Sequence, residues 1–373
     1  MAFAPYPRVQ PPLYSRWLAS GAVLLALVGA GSVLERSFIE PRLAVGGGVA
    51  VLLVWAVALM VRVLYYRFNH HNAQCYAEAT EQQRQIWWQH HRQKAALIES
   101  VLVSAACSKP EQVNVLFSPD HQPPAVLDTG EGAAIRLPQV CARDVETRER
   151  ELAVLLALKW QAQRTQDSAL QPLSCYWLGS LAAWGAFVEQ MALSCPEVCL
   201  PEHPESWQGI RSLDAIIDLL LQAPADARVL CAGCHSARAE REQQLPAGEA
   251  AVLWLLGAQG GVHFPRGEWF AADAEDLTTV AAQALKQSEL EAPAPVCVSF
   301  SQPAAFDASL LDWNIKQHRQ DANFGALANL QAMVVQTLAA WYTEQHGVPC
   351  AWLAGDPHYT LTLGIVEPDD SRS

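Results

Sequence analysis

Two apolar segments, residues 17–34 and 43–61, stand back to back near the start of the chain and carry no charged residue. Only residues 35–42 separate them. Each is long enough to cross the ~30 Å hydrocarbon core of a bilayer as a helix. Such a pair has two destinations, a membrane or the interior of a soluble core. A secretory signal would offer one apolar core and then a cleavage site, and a second long segment following at once argues against it. A connection this short forces two spans antiparallel, so both ends of the hairpin lie on one side. Arg8 and Arg16 precede the first segment, and Arg62, Arg67, Arg84, Arg92 and Lys94 follow the second. Arg36 and Arg42 in the connection are offset by Glu35 and Glu40. That bias predicts both ends of the hairpin in the cytoplasm. Tyr14, Trp17, Tyr65 and Tyr66 sit where interfacial aromatics are expected. Gly21, Ala26, Gly29 and Gly31, with Ala44, Gly46, Gly47, Gly48 and Ala50 opposite, allow two helices to pack closely.

Without the hairpin and the helix that follows it, about 265 residues remain, enough for one large domain or two modest ones. The net charge is −13, and the excess acid lies outside the hairpin. No basic stripe is available to meet phosphates along a strand, which disfavours nucleic acid as a partner. The ten cysteines stand at irregular spacing. Free, mostly buried thiols in a cytoplasmic domain fit that pattern.

The segments read as five parts: an N-terminus over 1–16, a transmembrane helical hairpin over 17–61, a helical stalk over 62–108, a soluble domain over 109–367 and a tail over 368–373. The stalk follows from the absence of glycine and proline between Val63 and Cys107, in a stretch rich in good helix formers. Strands are expected over 113–117 and 133–137, and a helix over 144–163 with Asp144 as N-cap. Residues 175–193 form an apolar run read as a buried strand and helix, with a third membrane span as the alternative. The second half alternates: helix 206–222, strand 227–232, apolar run 252–257, helix 274–290, strand 296–301, helix 310–318 and helix 326–346. A hairpin of strands 351–354 and 359–366 closes it. This alternation implies an α/β fold, a mixed sheet covered by helices on both faces.

Four places resemble the C-terminal half of β-ketoacyl synthases and the wider thiolase-like fold. They are the strand and polar turn Ala227-Arg228-Val229-Leu230-Cys231-Ala232-Gly233-Cys234-His235-Ser236, the loop Leu245-Pro246-Ala247-Gly248-Glu249-Ala250-Ala251, the loop Asn323-Phe324-Gly325 before a long helix, and the closing hairpin. The resemblance covers residues 206–367. It implies a cysteine nucleophile at a helix N-terminus and two further polar residues, usually histidines. The corresponding helix begins near Ser206-Trp207 without a cysteine, Gln302-Pro303-Ala304 stands at the first histidine place, and Ala326 at the second. Ser206 without a base would be inert. The resemblance therefore implies a thiolase-like domain with no catalytic residues. Degenerate proteins of this sort are similar to accessory proteins found beside type VI secretion effectors, which would place this one in a bacterial inner membrane.

Other constellations have bland alternatives beside them. Cys231-Ala232-Gly233-Cys234-His235 matches a c-type haem attachment pattern, but its first cysteine falls inside an apolar strand. His70-His71 and His90-His91 on the stalk each put one imidazole on each face. Cys195, Cys199 and His203 have a spacing that suits zinc, in a proline-bounded loop without an evident fourth ligand. No P-loop or nucleophile elbow is present. The expectation is no catalytic, cofactor-binding or metal-binding residue and no cofactor. A membrane-anchored adaptor would bind a protein partner, a secretion effector or machinery component, beside membrane lipid and a second copy of itself. The alternatives are a membrane-associated acyl-transfer or lipid-modifying enzyme, with a nucleophile such as Cys175 or Cys195, and a haem- or metal-bearing membrane protein.

Overall fold

The computed structural model describes residues 3–34, 41–164, 170–301 and 312–369. The chain divides into two compact units, residues 1–89 and 90–373. The first holds α1 (Tyr14–Leu34) and most of α2 (Pro41–His91). Its contacts pair positions whose numbers rise on one side as they fall on the other. The phenol of Tyr76 donates to the Ala4 carbonyl at 2.8 Å, Val9 N donates to Asn69 Oδ1 at 3.0 Å, and Arg62 donates to the Gln10 carbonyl at 2.8 Å. Further along, Trp55 Nε1 donates to Ser20 Oγ at 3.3 Å. The two helices are thus antiparallel, as the short connection required. Gly21 lets the Trp55 ring approach: a Cβ there would lie 3.0 Å from it. Leu18, Val23, Leu27, Leu53, Val54 and Val57 are all exposed. Among the described residues, one helix, over residues 45–91, is long and apolar enough to cross a membrane. The charged connection, residues 35–40, lies outside the described residues.

The second unit runs β1 (Lys94–Ser104), α3 (Val113–Leu116), β2 (Leu127–Asp128), β3 (Ala133–Ala134), α4 (Val145–Gln163), β4 (Ser174–Leu178), α5 (Leu181–Ser194), β5 (Glu205–Ser206), α6 (Ile210–Gln222), β6 (Arg228–Ser236) and β7 (Glu249–Gly257). Then come β8 (Val262–Pro265), β9 (Glu268–Phe270), α7 (Leu277–Gln287), β10 (Val296–Ser299), β11 (His318–Arg319), α8 (Asp321–Phe324), α9 (Gln331–His346), β12 (Cys350–Ala354) and β13 (Leu361–Val366). The first large sheet has the order β5-β4-β6-β7-β1-β8 and the second β11-β10-β12-β13-β9. With β8 and the small β2–β3 pair set aside, both sheets have the order third-second-fourth-fifth-first. In both, the fifth strand is antiparallel to its two neighbours and the others are parallel. The unit is one arrangement used twice.

Three layers of helix enclose the two sheets. Ile210, Leu213, Ile216, Ile217 and Leu220 recur at helical spacing, and this stripe of α6 packs with α9 in a core shared by both sheets. From Ala332 to Ala340 every residue of α9 is buried, as a helix held between two sheets requires. Helices α4 and α5 cover the outer face of the first sheet and α7 that of the second. Strand β7 is buried at all nine positions, which explains its continuous apolar run.

Several boundaries differ from the sequence reading. The helix expected over 62–108 ends at His91, and Lys94–Ser104 is β1, which pairs along its length with β7. Long-range pairing outweighs helix propensity there, and Ile98, Val101 and Val103 are the β-branched residues that suit it. The expected strand over 113–117 is the short helix α3, and that over 133–137 shrinks to two residues. The helix expected over 310–318 is absent from its described part: residues 312–317 are turns and bends, followed by β11. Strands β8 and β9 lie in a stretch for which the sequence reading names no element. The Asp144 cap is present, its carboxylate accepting from Thr147 N at 2.8 Å, and residues 175–193 fall in β4 and α5, which pack into the second unit. The closing strands pair antiparallel as expected.

Candidate functional site

The site to inspect is the N-terminus of α6, where the resemblance calls for a nucleophile. The helix begins four residues later than the sequence reading placed it. Ser206 lies in the edge strand β5, exposed, and is not the helix cap. Trp207 is buried against Trp254 and Tyr176, and its backbone N–H donates to the Trp177 carbonyl at 3.0 Å. The N-cap is Gly209, with φ 62° and ψ −135°, a conformation that side chains oppose. The loop after β12 reaches this point. Asp356 Oδ2 accepts from Ile210 N at 3.1 Å, and Asp356 Oδ1 accepts from His358 N at 2.9 Å. A carboxylate here satisfies an orphan N–H and opposes the positive end of the helix dipole. A Cβ built on Gly209 would lie 2.1 Å from Asp356 Oδ2. The place a nucleophile side chain would need is filled by the carboxylate. Arg211, in the first turn of α6, lies over the Tyr359 ring at 5.3 Å and ties the same loop down.

The two loops singled out in the sequence are stitched together. Ala326 N donates to the Pro246 carbonyl at 2.9 Å, and Gly248 N donates to the Ala326 carbonyl at 3.2 Å. Ile135 N donates to the Ala247 carbonyl, also at 2.9 Å. The backbones approach so closely that a Cβ on Gly248 would lie 2.0 Å from the Phe324 carbonyl oxygen, and one on Gly325 2.4 Å from that of Pro246. At the second histidine place Ala326 offers a methyl group only. The first, Gln302-Pro303-Ala304, lies outside the described residues. Two histidines that the sequence reading did not single out come near this loop. His121 Nε2 is 2.8 Å from Asn323 Oδ1, and the His318 ring lies 4.8 Å from that of Phe117, tilted by 42°, with burial pushing its pKa down. Asp321 is engaged by Ser301, through N and Oγ at 2.9 Å. These contacts hold the loop in place.

Glu249, from the second resemblance loop, has a role visible only in three dimensions. It is 1% exposed at the start of β7. Its carboxylate accepts from Arg148 Nε at 2.9 Å and Nη2 at 2.8 Å, from Arg136 Nη1 at 3.2 Å, from Ser236 Oγ at 3.1 Å and from Leu137 N at 2.5 Å. One buried anion thus joins α4, β6, β7 and the segment after β3. Desolvation and the neighbouring Arg148 lower the pKa of Arg136, and the Glu249 carboxylate opposes that.

The cysteine motifs separate. Cys231 and Cys234 both lie in β6, three residues apart, so the two-residue period turns them to opposite faces. Cys231 belongs to the core shared by the sheets and Cys234 to the outer core under α4. Two thioethers from this pair could not reach one haem. Burial raises both thiols well above the usual range. His235 has its pKa lowered by burial and lies 3.9 Å from Glu149. Cys175 is pushed up to about 12, chiefly by burial, which disfavours the thiolate a nucleophile needs. Cys195 is buried and Cys199 exposed, and among the described residues no group of three or more histidine, cysteine and acidic side chains could hold a metal. His71 approaches Cys75, at 3.6 Å on the α2 surface.

Glu268 in β9 is 6% exposed, and its Oε1 is buried with no hydrogen-bond partner among the described residues. Desolvation raises its pKa to about 7, and Asp214 nearby is raised to about 6 by the same cause. A carboxyl whose folded pKa lies above its unfolded value costs nothing while both states are protonated. The cost grows as pH rises from the unfolded value near 4.5 and is complete above the folded value near 7. Glu268→Gln is expected to stabilise the domain above pH 7, on the order of 3 kcal/mol, and to leave it unchanged near pH 4. Denaturant midpoints at the two pH values check this, and equal shifts at both would contradict it.

No protein-family model matches the chain, and no curated protein matches it in sequence. Solved structures do resemble it. The ishigamide ketosynthase/chain length factor is 14% identical with a TM-score of 0.49, over 74% of this chain and 99% of that one. PksG, an HMG-CoA synthase from Bacillus, is 12% identical with a TM-score of 0.43, over 74% and 80%. The ketosynthase from module 1 of the bacillaene synthase of Bacillus amyloliquefaciens is 10% identical with a TM-score of 0.46, over 75% and 76%. All three likenesses lie below 25% identity and below a TM-score of 0.5.

Proposed function

We propose that the chain is a non-catalytic, membrane-anchored adaptor whose thiolase-like domain engages a protein partner. The observation that carries this reading is Gly209: a residue without a side chain at the helix N-terminus, with the Asp356 carboxylate 2.1 Å from where a Cβ would be. A methyl group at Ala326 supports it, as do buried thiols such as Cys175 with raised pKa. The exposed apolar faces of α1 and α2 support the anchor. In this reading both helices span a bacterial inner membrane and the domain lies in the cytoplasm, beside membrane lipid. The expected partner class is a type VI secretion effector or a component of its machinery. A second copy of the chain would pair at the exposed edge strand β5, where Glu205 and Ser206 are uncovered.

Reporter fusions after residue 373 and within the 35–42 connection test the anchor. The first is expected to report cytoplasm and the second periplasm. A periplasmic signal from the first would overturn the arrangement. The rival reading, an acyl-transfer or lipid-modifying enzyme at the membrane, requires a covalently labelled cysteine or serine on exposure to an acyl thioester. The adaptor reading requires none.

A further inference from the structure

A second feature lies on the opposite face of the first sheet from α6. Along β7, Glu249 shares its face with Ala251, Leu253 and Leu255, which belong to the core beneath α4 and α5, whereas α6 packs in the core between the sheets. Beside Glu249 opens a cavity of about 1000 Å³. Among its described lining residues are Arg136, Arg143, Arg148 and Arg238, against the carboxylates of Glu131 and Asp144. In a chain of net charge −13, this concentration of arginine is against the overall trend.

The electrostatics of the wall are asymmetric. Arg136 and Arg148 share the single Glu249 carboxylate, so the wall holds one positive charge more than it neutralises. Their side chains are 12% and 9% exposed, and they are fixed by further hydrogen bonds to the carbonyls of Ala237 and Ala142. A guanidinium carries five N–H donors; with the bond of Arg136 Nη1 to Ser236 Oγ at 3.0 Å included, the bonds among the described residues engage fewer than five on each. Arg143 and Arg238 are exposed. The two acids offset them weakly: Asp144 is committed to capping α4 through Thr147 N, and Glu131 lies 3.6 Å from Arg238 with both side chains well exposed. Rigid, pre-oriented guanidinium groups match the oxygens of phosphate in pairs.

We propose that this cavity binds a phosphate group of a small anionic ligand, with Arg143 and Arg238 at its mouth and the spare donors of Arg136 and Arg148 deeper within. The volume exceeds that of one phosphate and accommodates the ligand's remaining atoms. The phosphate can belong to a soluble metabolite or to a lipid headgroup, and the chemistry of recognition is shared. The site lies across the sheet from Gly209 and stands or falls independently of the adaptor reading.

The test uses the full chain in neutral detergent at low ionic strength, titrated calorimetrically with pyrophosphate and, separately, with a short-chain phosphatidylglycerol. At least one titrant is expected to bind saturably at a single site. In the Arg143→Ala, Arg238→Ala double variant its affinity is expected to fall by about tenfold or more, because two charge-assisted contacts are removed. Thermal midpoints are expected to stay unchanged, since both side chains are exposed. The single variants repeat the measurement should the pair fail to fold. Pyrophosphate as the tighter titrant identifies a soluble ligand, and phosphatidylglycerol as the tighter identifies a lipid headgroup. Absence of binding by both, or equal binding by wild type and variants, would overturn the site.

Discussion

Gly209→Ala is expected to destabilise the second unit by about 3 kcal/mol or more. Positive φ with a side chain costs roughly 1–3 kcal/mol, and forcing a methyl group into occupied space typically adds a further ~1–3 kcal/mol. The occupant is known: Asp356 Oδ2, 2.1 Å from the Cβ position. Asp356→Ala alone removes the carboxylate that accepts from Ile210 N, with a cost of about 1 kcal/mol, as for the loss of a helix cap. The double variant is the informative one. If the clash is real, Gly209→Ala costs markedly less in the Asp356→Ala background than in the wild type, and the cycle shows a coupling of about 1 kcal/mol or more. Strict additivity would place Asp356 elsewhere than on the nucleophile position.

Glu249→Leu is expected to be at least as damaging, on the order of 3–5 kcal/mol, enough to leave the domain unfolded at physiological temperature. The leucine removes the counterion of two arginines whose side chains are 12% and 9% exposed and leaves Ser236 Oγ and Leu137 N without their acceptor. Arg148→Met in the same molecule is expected to recover part of the loss, because it removes one of the unpaired charges. Denaturant titrations of the three proteins decide this. A Glu249→Leu domain with wild-type stability would mean that the carboxylate is not the neutralising centre of the cluster.

How far these features were legible in the sequence depends on the range of the interactions behind them. The helix α6, the Asp144 cap and the closing hairpin rest on local patterns, and the sequence leads to each, with the start of α6 placed four residues early. Strand β1 was taken for the end of a long helix. No glycine or proline interrupts residues 63–107, and the signal separating the two states was only the β-branched content of a few positions, settled by pairing with β7 some 150 residues later. Val113–Leu116 is too short an apolar run for period alone to separate strand from helix. The doubled sheet order is a property of strand pairing between distant segments. At the candidate site, the missing cysteine and Ala326 were legible by resemblance. The positive φ of Gly209 and the arrival of Asp356 were not, since they depend on residues about 147 positions apart meeting in the fold. The pairing of Glu249 with Arg136 and Arg148 is hidden in the same way. The CxxCH pattern shows the reverse case: a legible motif that strand geometry takes apart.

The central claim, that the nucleophile position is closed and the domain performs no covalent acyl chemistry, has a direct test. The full chain, purified in neutral detergent, is incubated with an excess of an acyl thioester and its intact mass is recorded, with and without a denaturing quench. The account expects the unmodified mass in both. A single acyl adduct that maps to one cysteine or serine, and that forms only on the folded protein, would contradict it and replace the adaptor with an acyl-transfer enzyme.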